Sequence, residues 1–164
     1  MSRRDDPWSL SRVEIGNLLG YQGRREFKFG AGLQVIEAPN HTGKTSLALA
    51  LLWGLTGDIP DLARIHKKSF RLFNKHAGEE AESFCQIELT RPGGRAMTIR
   101  RQYGGARRGE DEELSVDLDG QTLGGSDAQE AIFRELGVKT GSLQGCGIVL
   151  QDHRLGLITG KDAD

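Results

Sequence analysis

Residues 33–57 read LQVIEAPNHTGKTSLALALLWGLTG, and this stretch decides the fold. Its first residues, Leu33–Glu37, contain the β-branched pair Val35-Ile36 and predict a strand. The run from Leu47 to Leu55 consists of good helix formers and is apolar on all faces, which predicts a buried helix from about Lys44 to Leu55, stopped near Gly57. A strand, a glycine-containing loop and a buried helix, in this order, open a nucleotide-binding α/β unit.

The loop at residues 38–46 follows the phosphate-loop pattern Gly-x-x-x-x-Gly-Lys-Ser/Thr, except that Ala38 stands at the first position. Backbone N–H groups from His41 to Thr45 are expected to form an anion-binding nest at the positive end of the helix. We expect Lys44 to neutralise the β- and γ-phosphates, and the Thr45 hydroxyl to ligate Mg²⁺. The predicted binding residues are Pro39, Asn40, His41, Thr42, Gly43, Lys44, Thr45 and Ser46.

The alternative interpretation of the Gly-Lys-Thr triplet is a helix start with an accidental match. The predicted strand before the loop and the buried helix after it disfavour that alternative, because they are the structural context that the motif requires.

The rest of the chain is predicted to be mainly strands, at Ser9–Ile15, Glu26–Phe29, Ser83–Thr90, Ala96–Arg101, Leu114–Leu118 and Gly147–Leu150. A capping box of Ser126 and Gln129 predicts a second helix that runs to about Leu136 and ends at Gly137. The expected architecture is an α/β fold: a mixed sheet around the first helix, with an antiparallel subdomain over about residues 82–123.

Composition narrows the class of protein. The chain has 164 residues, which is room for one domain, and 22 Lys+Arg against 23 Asp+Glu exclude a highly basic, histone-like binder. Cys85 and Cys146 lie far apart, so neither a disulfide framework nor a zinc knuckle is indicated. With no signal sequence and no apolar run long enough for a bilayer, we expect a cytoplasmic protein without membrane insertion.

The segment Gly32–Ser46 resembles the N-terminal half of an SMC-like ABC ATPase head, a P-loop NTPase group that includes SbcC, RecN and RecF relatives. The pair Pro39-Asn40 distinguishes its loop from those of kinases and GTPases. The resemblance extends to the first strand, which ends near Asn17, and to the hairpin that ends at Arg101. It implies binding of ATP and Mg²⁺, and a role in DNA repair, recombination, chromosome maintenance or anti-phage defence.

In such heads a short strand leads to a Q-loop glutamine, whose side chain reaches Mg²⁺ and the attacking water. Residues 148–153 have the matching position and order. The resemblance therefore implies a catalytic and metal-binding role for Gln151, alongside the catalytic role of Lys44. Two alternatives remain open: Gln151 is a solvated loop amide, or the strand is a degenerate Walker B with Asp152 on the metal.

The chain also departs from the family pattern. Leu18-Leu19-Gly20 stands where many relatives have a basic residue, and we find no Leu-Ser-Gly-Gly-Gln signature, no Walker B Asp-Glu pair and no coiled coil. In this family those features follow the Q-loop. We therefore expect residues 1–164 to be the N-terminal lobe of a longer protein, or of a head whose C-terminal lobe is a separate chain. Hydrolysis is expected only in the completed head, which is expected to dimerise with a second head.

Other partners and functions stay open at this stage. The basic stretch 64–75 and the pairs Arg100-Arg101 and Arg107-Arg108 fit contacts with DNA phosphates, or solvated faces balanced by nearby glutamates. A nuclease partner and association with the nucleoid are further expectations. The alternative functions are a P-loop small-molecule kinase and a non-hydrolysing, ATP-dependent DNA-binding or regulatory module.

Overall fold

The structure, a computed structural model, describes residues 6–39, 42–59, 72–74, 76–78, 81–103 and 112–138. These residues form six strands and two helices. In chain order they are β1 (Ser9–Gly16), β2 (Arg24–Lys28), α1 (Lys44–Thr56), β3 (Ser83–Arg91), β4 (Arg95–Tyr103), β5 (Glu112–Leu118), β6 (Gln121–Gly124) and α2 (Gly125–Leu136).

The six strands form one sheet in the order β2-β1-β3-β4-β5-β6, and every pairing in it is antiparallel. The register sets Ile15 opposite Cys85, Ile87 opposite Ile99, and Ile99 opposite Val116. Because side chains of a strand alternate between faces, this register collects the apolar side chains on one face, where all five are fully buried.

Helix α1 covers that apolar face across β3 and β4, and α2 covers β5 and β6. The side chain of Trp53 is fully buried between the helix and the sheet. Helix α1 ends at Gly57, in the left-handed conformation, with the Gly57 N–H donating to the Trp53 carbonyl. The prediction of a helix from about Lys44 to Leu55, stopped near Gly57, is confirmed.

The predicted strand Leu33–Glu37 is wrong. Residues 33–37 form no strand, and the side chains of Leu33 and Val35 are 92% and 76% exposed. A strand exists only where a neighbour pairs with its backbone N–H and C=O groups, and no described strand pairs with this segment. The sequence predicted a mixed sheet, whereas the sheet of the described residues is antiparallel throughout.

The start of α2 also differs from the prediction. Gly124 is its N-cap, with no side-chain cap hydrogen bond, so the predicted capping box of Ser126 and Gln129 is not formed. The Gln129 amide reaches α1 instead, where it donates to the Leu55 carbonyl at 2.9 Å. Just before the helix, the turn at Asp119-Gly120 returns the chain along β5, which creates β6, a strand that is not among those predicted from the sequence.

Two further observations bear on the expectations from sequence. The predicted strand Gly147–Leu150 lies outside the described residues. Among the helices of the described part, neither has the length and apolar character that a membrane crossing requires.

Candidate phosphate-binding site

The site is built on the start of α1. Its N-cap, Gly43, has φ 98° and ψ 13°, a left-handed conformation that favours glycine, and no side chain caps this end of the helix. A Cβ at Gly43 would lie 3.0 Å from Cζ of Tyr21, so there is also little space for a side chain. The first N–H groups of a helix have no intrahelical acceptor and lie at its positive end, which suits an anion.

Lys44 is the first residue of α1, and its side chain is exposed. The chain before it folds back under its ammonium group, which donates to the carbonyl of Ala38 and, at 2.8 Å, to that of Pro39. The Thr42 hydroxyl donates to the same Pro39 carbonyl at 2.7 Å. An ammonium has three N–H donors, so one remains for an anion after these two carbonyls are satisfied.

Thr45 and Ser46 complete the first turn. The Thr45 side chain is exposed, and the Ser46 hydroxyl oxygen accepts a hydrogen bond from the Gly20 N–H at 3.3 Å. A hydroxyl oxygen is the kind of donor that Mg²⁺ prefers, and Mg²⁺ commonly uses substrate phosphates for its other ligands. Among the described residues, no group of three or more His, Cys, Asp or Glu side chains is placed for a metal.

The structure thus places Pro39, Thr42, Gly43, Lys44, Thr45 and Ser46 around one helix start. The other predicted site residues, Asn40, His41 and Gln151, lie outside the described residues, as does Asp152. The residues that are described offer a glycine-capped helix start, an ammonium and a hydroxyl, and this set of groups fits the phosphates of a nucleotide with Mg²⁺.

Sequence reasoning missed the loop that supports this helix start. Residues 17–23 join β1 to β2, and the Tyr21 hydroxyl donates to the Gly43 carbonyl at 2.8 Å. Burial raises the pKa of Tyr21, so the hydroxyl keeps the proton that it donates. From the sequence, this loop was notable only for its missing basic residue. The overlooked signal is an aromatic residue in a short turn between Gly20 and Gly23.

The opposite end of α1 is closed by Arg101, which is 4% exposed. Its guanidinium donates to the Gly54 carbonyl at 3.3 Å, to the Glu112 carboxylate and to the Gln129 side-chain oxygen. Arginine at a helix C-terminus is favourable for the helix dipole. Neither alternative considered for Arg101, a contact with DNA phosphates or a solvated face, fits the structure, because the guanidinium is buried and bonded within the fold.

Several charged side chains on the sheet form ion pairs. Arg12 pairs with Glu88 at 2.6 Å, and Arg100 pairs with Glu82 at 2.8 Å. The Arg100 guanidinium also lies 4.1 Å from the centroid of the Phe84 ring. Most of the basic stretch 64–75, and the pair Arg107-Arg108, lie outside the described residues.

Comparison with known proteins gives one family. The model of that family, described as an AAA domain, matches residues 12–152. The matched range contains the phosphate loop at 38–46, α1 and the loop at 17–23. A search of curated proteins finds no match to the chain.

Proposed function

The chain belongs to the AAA domain family, an ATPase-type family of nucleotide-binding domains, and on this premise we propose that its phosphate loop binds Mg-ATP. One observation carries the proposal: Lys44 stands at a glycine-capped helix start with its ammonium over the loop carbonyls and the Thr45 hydroxyl exposed beside it. Lys44 and the first-turn N–H groups bind phosphate oxygens, and Thr45 offers its oxygen to Mg²⁺. The metal neutralises phosphate charge when it is bound.

We further propose that this chain is the N-terminal lobe of an SMC-like head that acts in DNA processing, and that a C-terminal lobe completes it. The support is apolar surface that the described fold leaves uncovered. Leu33, Val35 and Ile36 are exposed on a segment of strand-like sequence that runs into the loop. Exposed apolar side chains that lie together fit contact with a partner lobe. Gln151, a head–head dimer, and DNA and nuclease partners belong to this same proposal.

Replacement of the loop lysine tests nucleotide binding. We expect Lys44→Ala to abolish detectable Mg-ATP binding in isothermal titration calorimetry, because the ammonium is the cation closest to the bound phosphates. Lys28→Ala is the matched control: its side chain is 78% exposed and pairs with Glu26 on β2. Equal affinity of the Lys44→Ala and Lys28→Ala chains would overturn the phosphate-loop assignment.

Replacement of the Q-loop glutamine tests the proposed head. In the head completed by its C-terminal lobe, we expect Gln151→Ala to leave Mg-ATP affinity unchanged and to slow phosphate release, because the amide orients the attacking water. Phosphate release at the wild-type rate would remove Gln151 from the mechanism.

A further inference from the structure

The Gly43 carbonyl accepts two hydrogen bonds, from the Tyr21 hydroxyl at 2.8 Å and from the Leu47 N–H at 2.9 Å. The peptide that contains this carbonyl also contains the Lys44 N–H. Because a trans peptide is planar, its C=O and N–H point in opposite directions. A bond that holds the carbonyl toward the protein interior therefore holds the Lys44 N–H toward the site.

The ring of Tyr21 is itself fixed. It is 9% exposed and packs edge-on against Phe27, with 5.8 Å between ring centroids. Its Cζ and hydroxyl oxygen would lie 3.0 and 3.1 Å from a Cβ at Gly43, so the ring and hydroxyl sit directly beneath the helix start. The adjacent Gly20 N–H donates to the Ser46 hydroxyl oxygen. The loop at 17–23 thus contacts the phosphate-binding turn at two points.

Hydrogen bonds join the two ends of the loop that carries Tyr21 and attach this loop to neighbouring residues. The Asn17 side-chain oxygen accepts from the Gly23 N–H at 2.8 Å, and the Asn17 N–H donates to the Gly23 carbonyl at 3.1 Å. The Ser83 hydroxyl donates to the Asn17 carbonyl at 2.9 Å, which fastens the loop to β3. The Asn74 amide donates to the Leu19 carbonyl at 2.9 Å. Because these bonds span the loop, the Tyr21 hydroxyl is held at a defined position relative to the sheet.

We propose that Tyr21 is a positioning residue for the phosphate loop: its hydroxyl orients the Gly43–Lys44 peptide so that the Lys44 N–H faces the bound phosphates. This inference rests on the proposed binding of Mg-ATP. Tyr21 acts through Gly43 and does not touch the nucleotide in this account. Removal of the hydroxyl leaves the Leu47 N–H bond to the same carbonyl in place, so the helix persists while the peptide loses its second constraint.

The test is Tyr21→Phe in the full 164-residue chain, with Mg-ATP as the ligand in calorimetry. We expect the Kd to rise about threefold to tenfold, the effect of losing one hydrogen bond that orients a binding group. Tyr103→Phe is the matched control, because its hydroxyl bonds to Glu112 at 3.0 Å near the other end of α1. We expect the control to leave the Kd unchanged, and both variants to lose similar amounts of stability in urea unfolding without nucleotide.

The outcomes separate the two proposals. A wild-type chain that does not bind Mg-ATP, or binds it equally well after Lys44→Ala, overturns the proposed function. Binding that needs Lys44 but is unchanged by Tyr21→Phe overturns the positioning role alone. Equal weakening by Tyr21→Phe and Tyr103→Phe also overturns it, because loss of general stability would then account for both.

Discussion

The two ends of α1 have similar glycine conformations but differ in the side chains that bond to them. Each has a glycine with positive φ, Gly43 at 98° and Gly57 at 75°. Each glycine lies against one side chain: a Cβ would come within 3.0 Å of the Tyr21 ring at the start and 2.9 Å of the Arg101 guanidinium at the end. At the C-terminal end the protein supplies the donors that the last carbonyls need. At the N-terminal end the first turn carries an exposed Lys44.

Hydrogen bonds satisfy four backbone carbonyls in the last turns of α1. The carbonyls of Leu52, Trp53, Gly54 and Leu55 accept from the Thr56 hydroxyl, the Gly57 N–H, the Arg101 guanidinium and the Gln129 amide. The first turn has no side-chain cap. A helix start without a cap costs little where a ligand supplies the acceptors. The contrast therefore supports the proposal that the N-terminal end of α1 receives an anion. Substitutions at the two ends test this difference.

The largest effect on stability is expected from Arg101→Met. The change leaves the Glu112 carboxylate, the Gln129 side-chain oxygen and the Gly54 carbonyl without their shared donor. Because the Glu112 side chain is 30% exposed, the cost comes mainly from the unsatisfied acceptors and is expected to be about 2–3 kcal/mol. Urea unfolding measures this loss in the free energy of unfolding. Arg95→Met is the control, because Arg95 is 33% exposed and its pairs with Asp119 and Glu135 contribute about 1 kcal/mol or less. Equal losses in the two chains would show that the buried network does not hold this end.

The two glycines offer a matched pair. Alanine at either position must adopt a positive φ, which costs about 1–2 kcal/mol, so Gly43→Ala and Gly57→Ala are both expected to lower the free energy of unfolding. Only Gly43→Ala is expected to weaken Mg-ATP binding as well, because only that end of α1 carries the proposed phosphate site. Weaker binding in Gly57→Ala, measured by calorimetry, would contradict this division of roles.

The smallest effect concerns Tyr103, which stacks on Trp53 with 5.3 Å between ring centroids. Burial, followed by the Glu112 carboxylate, raises the pKa of Tyr103 from 10.0 to about 12. A raised pKa in the folded state stabilises the fold fully below pH 10, and this contribution is lost as the pH rises toward 12. Tyr103→Phe is expected to cost about 1 kcal/mol or less at neutral pH and to flatten the alkaline loss of stability.

The measurement is the free energy of unfolding at several pH values above 9, in wild-type and Tyr103→Phe chains. Cys85 is buried as well, and burial raises its pKa to about 12, so the wild-type curve alone combines several groups. The difference between the two curves isolates Tyr103. Parallel curves would show that its ionisation is not coupled to the fold.

Much of the fold was predictable because its signals are local. Helix α1 follows from an apolar run of helix formers between Gly43 and Gly57, and β1, β3, β4 and β5 follow from alternating apolar residues and the turns between them. The absence of a strand at Leu33–Glu37 was not predictable in the same way. The composition of this segment suits a strand, but composition does not supply a partner for the backbone.

The residues around the site also separate into those predictable from local sequence and those that were not. The sequence placed Lys44, Thr45 and Ser46 together because they are consecutive residues at a helix start. From the sequence, Gln129 was expected in a capping box, and Arg101 either on DNA or on a solvated face. Both side chains instead have partners on α1, far along the chain.

The sequence by itself therefore determined the helix α1 and predicted the phosphate loop before it, because their geometry depends on neighbouring residues, glycine freedom and helix propensity. Only the tertiary structure decided what holds that helix at its two ends. Tyr21 is 22 residues from Gly43, and Arg101 is 47 residues from Gly54. The physical reason is that such pairs meet through the register of β1, β3 and β4, which places distant residues side by side and which no local pattern specifies.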